Sequence, residues 1–182
     1  MIANMTWYIA RSSGIVAWLL LAGSVLWGLA LSTKVLRGKP RPNWILDLHR
    51  FLGGIALVFT GVHVLVPFTG RWHPVAVAWD VVGLYLLAAV EITSLLRKKL
   101  SKRAWRLTHY LSFPLFALTT AHTLSAGTDR NTFLLRWACI LVVASVVVLT
   151  GLRVRKADKH DLLTSPASGA AARAPRSRVP AR

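Results

Sequence analysis

His49-Arg-Phe-Leu-Gly-Gly-Ile-Ala-Leu-Val-Phe-Thr-Gly-Val-His63 is the stretch on which the fold turns. It is apolar between its ends, and a histidine stands at each end. At helical spacing His49, Gly53, Ala56, Thr60 and His63 fall on one stripe, because steps of four, three, four and three hold one helix face in register. Between the two histidines that stripe carries only small side chains. Small residues serve close helix packing, but a shallow groove flanked by histidines also suits a flat macrocycle. A second stretch echoes the first: His109-Tyr-Leu-Ser-Phe-Pro-Leu-Phe-Ala-Leu-Thr-Thr-Ala-His122. Ionisable residues inside apolar helices are costly and point to a task or a partner.

Five apolar stretches approach or exceed the roughly 20 residues that a membrane-spanning helix needs. They run Gly14–Thr33, Ile45–Val66, Pro74–Leu96, Trp105–Leu124 and Thr132–Leu152. In a chain of 182 residues that is 54% hydrophobic, they leave only short polar or Pro/Gly-containing links. Barrel strands are about half this length, so helices are the structure that satisfies the backbone in lipid. The expectation is an all-α integral membrane protein, a bundle of about five transmembrane helices. Residues 1–13 form an outer N-terminal segment, 14–152 the bundle, and 153–182 a basic, largely disordered tail, with disorder from about Thr164 onward. The first segment has no ionisable residue inside its span and reads as a lipid-facing or packing helix.

The formal charge of +17 raises the question of nucleic acid. Its distribution argues against that partner. Of the 23 Lys and Arg, all but Arg11, Arg71, Arg130 and Arg136 fall between Lys34 and Arg50, between Arg97 and Arg106, or after Leu152. That asymmetry is the positive-inside pattern. It predicts a multi-pass protein of the plasma (cytoplasmic) membrane with its N-terminus outside and its C-terminus in the cytoplasm. No basic n-region or small-residue cleavage site marks the first segment, so it is expected to stay as a helix. Cys139, mid-span and single, reads as packing and excludes an intramolecular disulfide.

Other polar residues read more plainly. His73 falls in a polar outer link and His160 in the polar tail, and neither is expected to ligate. Asp80 lies near the outer end of the third span. Glu91 lies toward its inner end, where nearby cations favour an ion pair over proton transfer.

Helix rise sets what the four intramembrane histidines are able to do. His49 and His63 are about 21 Å apart along a helix, and His109 and His122 about 19.5 Å, so neither pair clamps one metal from within a single helix. The second and fourth spans run the same way. His49 therefore faces His109 near the cytoplasm, and His63 faces His122 near the outside. With no carboxylate or cysteine read as near them, zinc lacks its usual set of ligands. Haem iron needs only two axial ligands, and helical bundles build such sites between helices. Two axial imidazoles leave no open position for oxygen, which makes electron transfer the natural task. Arg50, Arg103 and Arg106 are candidates to pair with the propionates of an inner haem, and Arg71 or Arg130 with those of an outer one. One joint is awkward. Fourteen steps bring His63 within about 40° of His49, whereas 13 steps turn His122 about 140° from His109. Pro114 lies between the latter two and is expected to kink or rewind that helix.

His49-Arg50-x-Leu52-Gly53 with His63, followed by Trp105-Arg106-x-x-His109-x-Leu111-Ser112 with His122, resembles the ferric reductase-like transmembrane domain. That family includes the membrane parts of ferric reductases and NADPH oxidases and the haem subunit of the bacterial methionine sulfoxide reductase system. The resemblance runs from about Trp44 to Asp129. It implies up to two b-type haems, ligated by His49 with His109 and by His63 with His122, and electron transfer across the membrane. Many relatives have six spans and a cytoplasmic flavin and nicotinamide domain. Here five spans are predicted, and no glycine fingerprint between strand and helix provides a flavin or nicotinamide site. The chain is then expected to be the haem subunit of a reductase system, with a separate flavoprotein or quinol as donor and an acceptor outside. Two competing readings are a small proton-conducting or transport protein using the histidines and Glu91, and a membrane anchor without a redox role.

Overall fold

Apolar runs free of breakers become long helices, and punctuation by proline and polar residues decides where each stops. The structure is a computed structural model of the chain and describes residues 2–33, 43–66, 74–126 and 132–164. The expectations for Arg71, His73 and Arg130, for the link beginning at Lys34, and for the tail beyond Thr164 lie outside those residues. Among the described residues every regular element is a helix: α1 (Ile2–Thr33), α2 (Asn43–Leu65), α3 (Pro74–Leu95), α4 (Lys102–Tyr110), α5 (Ser112–Ala126) and α6 (Phe133–Thr164).

Helix α1 begins at Ile2, well before the expected start at Gly14. Nothing in residues 2–13 breaks it. The hydroxyls of Ser12 and Ser13 donate back to the carbonyls of Tyr8 (2.8 Å) and Ile9 (2.6 Å), so these polar residues are accommodated inside the helix. Its far end is capped from another helix, where Lys156 Nζ of α6 donates to the Thr33 carbonyl at 2.9 Å. A cation there complements the negative end of the helix dipole. Helix α6 in turn runs well past Leu152, so the first part of the basic tail is helical.

Among the described residues four helices are long and apolar enough to cross a membrane: Met5–Thr33, Trp44–Leu65, Ala78–Leu95 and Phe133–Lys156. The fourth expected span is not one helix. It is made of α4 and α5 in succession, interrupted at Leu111. Pro114 supplies no N–H to the Tyr110 carbonyl, and its ring crowds that carbonyl. The chain tightens locally: Leu111 N–H donates to the Thr108 carbonyl (3.0 Å), and regular bonding resumes with Leu115 N–H to the Leu111 carbonyl (3.0 Å). At the other end of α4, Ser101 caps the helix by accepting the Ala104 N–H at 3.1 Å.

Helix α1 is the hub of the bundle. It packs along α2 and against α5 and α6, while α3 packs against α2, α4 and α5. Leu21, Ala22, Val25 and Leu29 of α1 form the core with Ala56 of α2, Leu87 of α3, Leu115 and Phe116 of α5, and Val146 of α6. Of the two roles open to the first segment, the structure assigns packing. Two indoles fasten it. Trp18 Nε1 donates to Thr120 Oγ1 of α5 (3.0 Å), and Trp27 Nε1 to the Ile45 carbonyl of α2 (3.0 Å). Outward faces carry large apolar side chains in numbers unusual for a water-facing surface, among them Phe51, Val58, Tyr85, Leu141, Val147 and Val148.

Candidate functional site

The four histidines of the two quoted stretches meet in two levels. His49 of α2 faces His109 of α4 with ring centroids 6.0 Å apart and planes at 74°. His63 of α2 faces His122 of α5 at 6.2 Å and 73°. Helix α2 is not closely packed on α4 or α5, so the imidazoles reach across a gap between elements. The interruption at Leu111 lies between His109 and His122, which therefore sit on two separate helices. The angular mismatch of a continuous helix does not arise.

The α2 histidines are held from behind by α1. His49 Nδ1 lies 3.1 Å from the Ser24 carbonyl and 3.2 Å from Ser24 Oγ. His63 Nδ1 lies 2.7 Å from the Ala10 carbonyl. A carbonyl oxygen only accepts, so Nδ1 carries the proton in both rings, and in His49 this leaves Nε2 with its lone pair. On the facing side, His109 stacks on Trp105 one turn earlier, with centroids 5.2 Å apart and planes at 21°. Arg97 covers the same indole at 4.5 Å. Ser94 Oγ of α3 lies at the hydrogen-bond limit from His109 Nδ1, 3.5 Å.

The two levels differ in one respect that sequence spacing did not reveal. Asp80 of α3 stands between the rings of the second level, with His122 Nε2 at 3.1 Å and His63 Nε2 at 3.6 Å. The three side chains are only 17–21% exposed. The expectation that no carboxylate lies near the histidines is therefore corrected at this level. Asp80 is near the start of α3, and the antiparallel run of α3 beside α2 brings it level with His63. His63, Asp80 and His122 place one ligand atom each within 4.8 Å of one another, close enough to share a metal ion. Lining up the outer end of the third span with the outer ends of the second and fourth was the signal available for this cluster.

Glu91 corrects a second expectation. Among the described residues it forms no ion pair; its carboxyl lies against Gly53 of α2, where a Cβ would collide with it. Arg97, the cation nearest in sequence, lies over the Trp105 ring instead. The small stripe between His49 and His63 is thus partly covered by an acid side chain. Arg50 is exposed and pairs with Asp47 at 3.4 Å. Arg103 and Arg106 are exposed and line a shallow concavity on α4 with Lys102, Leu107 and Tyr110. None of these three arginines is drawn into the histidine level. One donor that is drawn in has no hydrogen-bond partner among the described residues: the indole N–H of Trp105, whose nitrogen is buried. Cys139 is buried and free, as a packing residue would be.

No protein-family model matches the chain. It is similar to an uncharacterized protein of Archaeoglobus fulgidus, with 25% identity over 136 residues, covering 64% of this chain and 74% of that relative.

Proposed function

We propose that the chain is a b-type membrane cytochrome, with His49 and His109 holding one haem and His63 and His122 a second. The observation that carries this reading is the separation of the facing rings. Two imidazoles that share one metal through Nε2 at about 2 Å per bond have centroids about 6 Å apart. The two levels stand at 6.0 and 6.2 Å. The donor set supports haem most directly at the first level, where two imidazoles face each other across a gap; at the second, Asp80 faces both Nε2 atoms and would have to turn aside for iron to enter. The buried free N–H of Trp105 beside His109 adds a donor suited to a propionate carboxylate.

Haem held by His49 with His109 and by His63 with His122 would supply a one-electron couple, suited to electron transfer rather than oxygen chemistry. The chain's own residues do the rest. Nδ1–H bonds to α1 fix the orientation and basicity of His49 and His63. Trp105 holds the plane of His109. Stacked at opposite ends of α2, the two levels make a path through the thickness of a bilayer. Flanking cations support a place in the cytoplasmic membrane, with the His49 level inward, the N-terminus outside and the C-terminus in the cytoplasm. A separate flavoprotein or quinol would supply electrons, and an acceptor outside would take them, which makes the chain the haem subunit of a reductase system. A reduced-minus-oxidised spectrum of the purified protein with a haem-per-chain count tests this directly. Two b-type haems are expected, and a protein free of haem after expression with adequate haem supply ends the proposal.

Asp80 favours a second reading for one level only. Two histidines and a carboxylate are a donor set for a non-haem divalent metal such as iron or zinc. That reading expects one haem per chain and one equivalent of metal lost when Asp80 is replaced.

A further inference from the structure

We infer that α1 sets the orientation of the two α2 histidines, with Gly14 and Gly28 as the positioning residues. The inference rests on the cytochrome reading and deepens it. Gly14 and Gly28 are separated by the same fourteen residues as His49 and His63. Helices α1 and α2 are antiparallel neighbours, so Gly28 comes level with His49 and Gly14 with His63. Each histidine meets α1 in the same way. Its Nδ1–H donates to a carbonyl, that of Ser24 or Ala10, and the glycine four residues further on leaves room for the ring.

The room is specific to these positions. A Cβ on Gly14 would stand 2.7 Å from both Cε1 and Nδ1 of His63, and one on Gly28 would stand 3.1 Å from Cε1 of His49. At Gly23, on the same helix, a Cβ would meet nothing within 4 Å. A helical carbonyl already accepts one bond from the N–H four residues on and has a second lone pair available. An imidazole approaching that lone pair passes over the side chain position of the residue supplying the N–H. Glycine there lets one carbonyl serve both donors. The resulting Nδ1–H···O=C bond selects the tautomer with Nε2 free and raises its basicity toward a metal. A more basic axial ligand favours the oxidised iron, so the bond lowers the potential of the haem it serves.

The test uses the full chain in membranes and in detergent, with Gly14→Ala, Gly28→Ala and Gly23→Ala compared by redox titration and low-spin electron paramagnetic resonance. Gly14→Ala is expected to alter the signal and raise the midpoint of the His63 component, or to lose that component, while leaving the His49 component unchanged. Gly28→Ala, with the looser contact, is expected to shift the His49 component alone and by less. Gly23→Ala adds the same methyl to the same helix and should leave both unchanged. Wild-type signals and midpoints in Gly14→Ala, or equal disturbance of both components by either variant at normal protein recovery, overturn the inference. Should Gly14→Ala not be recovered, Gly28→Ala decides alone. A wild-type protein without haem fails the cytochrome reading itself, an outcome distinct from all of these.

Discussion

At the scale of single residues, pairing makes the four histidines informative. One intramembrane histidine is compatible with a packed, hydrogen-bonded side chain. Here each ring of α2 has its Nδ1 engaged behind and a second imidazole about 6 Å away, with Asp80 also at Nε2 of His63. Replacing His63 or His122 with Ala is expected to remove one haem component and spare the other, read by the haem count and the two-step redox titration. Equal loss of both components from any single replacement would contradict the two-level pairing. Asp80 yields a sharper contrast. Asp80→Asn keeps the shape and removes the charge. A carboxylate beside an iron stabilises its more positive, oxidised form, so the variant should retain both haems and raise the midpoint of the His63–His122 component only. If the level instead holds a non-haem metal, the same variant loses that metal by elemental analysis. The histidines themselves were legible as residues whose presence in a span needs a reason, but Asp80's company with them was not. It comes from a helix running in the opposite direction; span ends put it at roughly the same height, but not which way it faces, and only packing turns it toward the two rings.

At the scale of the element, the interruption between α4 and α5 is the consequential feature. The 13-residue spacing of His109 and His122 is incompatible with one straight helix that presents both to α2. Pro114 marks where the chain departs from that geometry, and the structure places the departure at Leu111 through the Thr108 carbonyl bond. Pro114→Ala restores the missing N–H and favours a continuous helix. It should therefore stabilise the local backbone while reducing haem retention at one level, seen as a stoichiometry below that of wild type at equal protein recovery. Full retention of both haems would show that the break does not depend on the proline. Helix α1 teaches the converse. Its sequence is bland, with no charge inside the expected span, yet it carries the core residues Leu21, Ala22, Val25 and Leu29 and both carbonyls that hold α2's histidines. The matching fourteen-residue intervals were present in the chain, but glycines become meaningful only once a neighbour is known to lie over them.

For the whole molecule, α1 at the centre ties the bundle together through a few buried polar contacts. Trp18→Phe removes the bond to Thr120 but keeps the ring volume. An interhelical hydrogen bond of this kind contributes about 0.5–1 kcal/mol in a membrane, so a small loss of stability is expected by thermal unfolding in detergent, with no change in either redox midpoint. A larger effect on one midpoint would mean that α1 and α5 are coupled at a haem level. The charge pattern gives a prediction for topology: a reporter fused after Arg182 should be active only in its cytoplasmic form, and one fused before Met1 only in its external form. The reverse result would invert the order of the two levels across the bilayer.

The sequence by itself determined the helical class, the approximate positions of the apolar segments and the identity of the four histidines. These follow from local chemistry: segment length, side-chain polarity and periodicity act along one chain direction. The tertiary structure alone decided that the fourth segment is two helices, that α1 is the hub, that Glu91 turns to Gly53, and that Asp80 joins His63 and His122. Each of these depends on which helix faces which and at what height. Such facts are fixed by packing between residues far apart in the chain, and no reading along a single helix contains them.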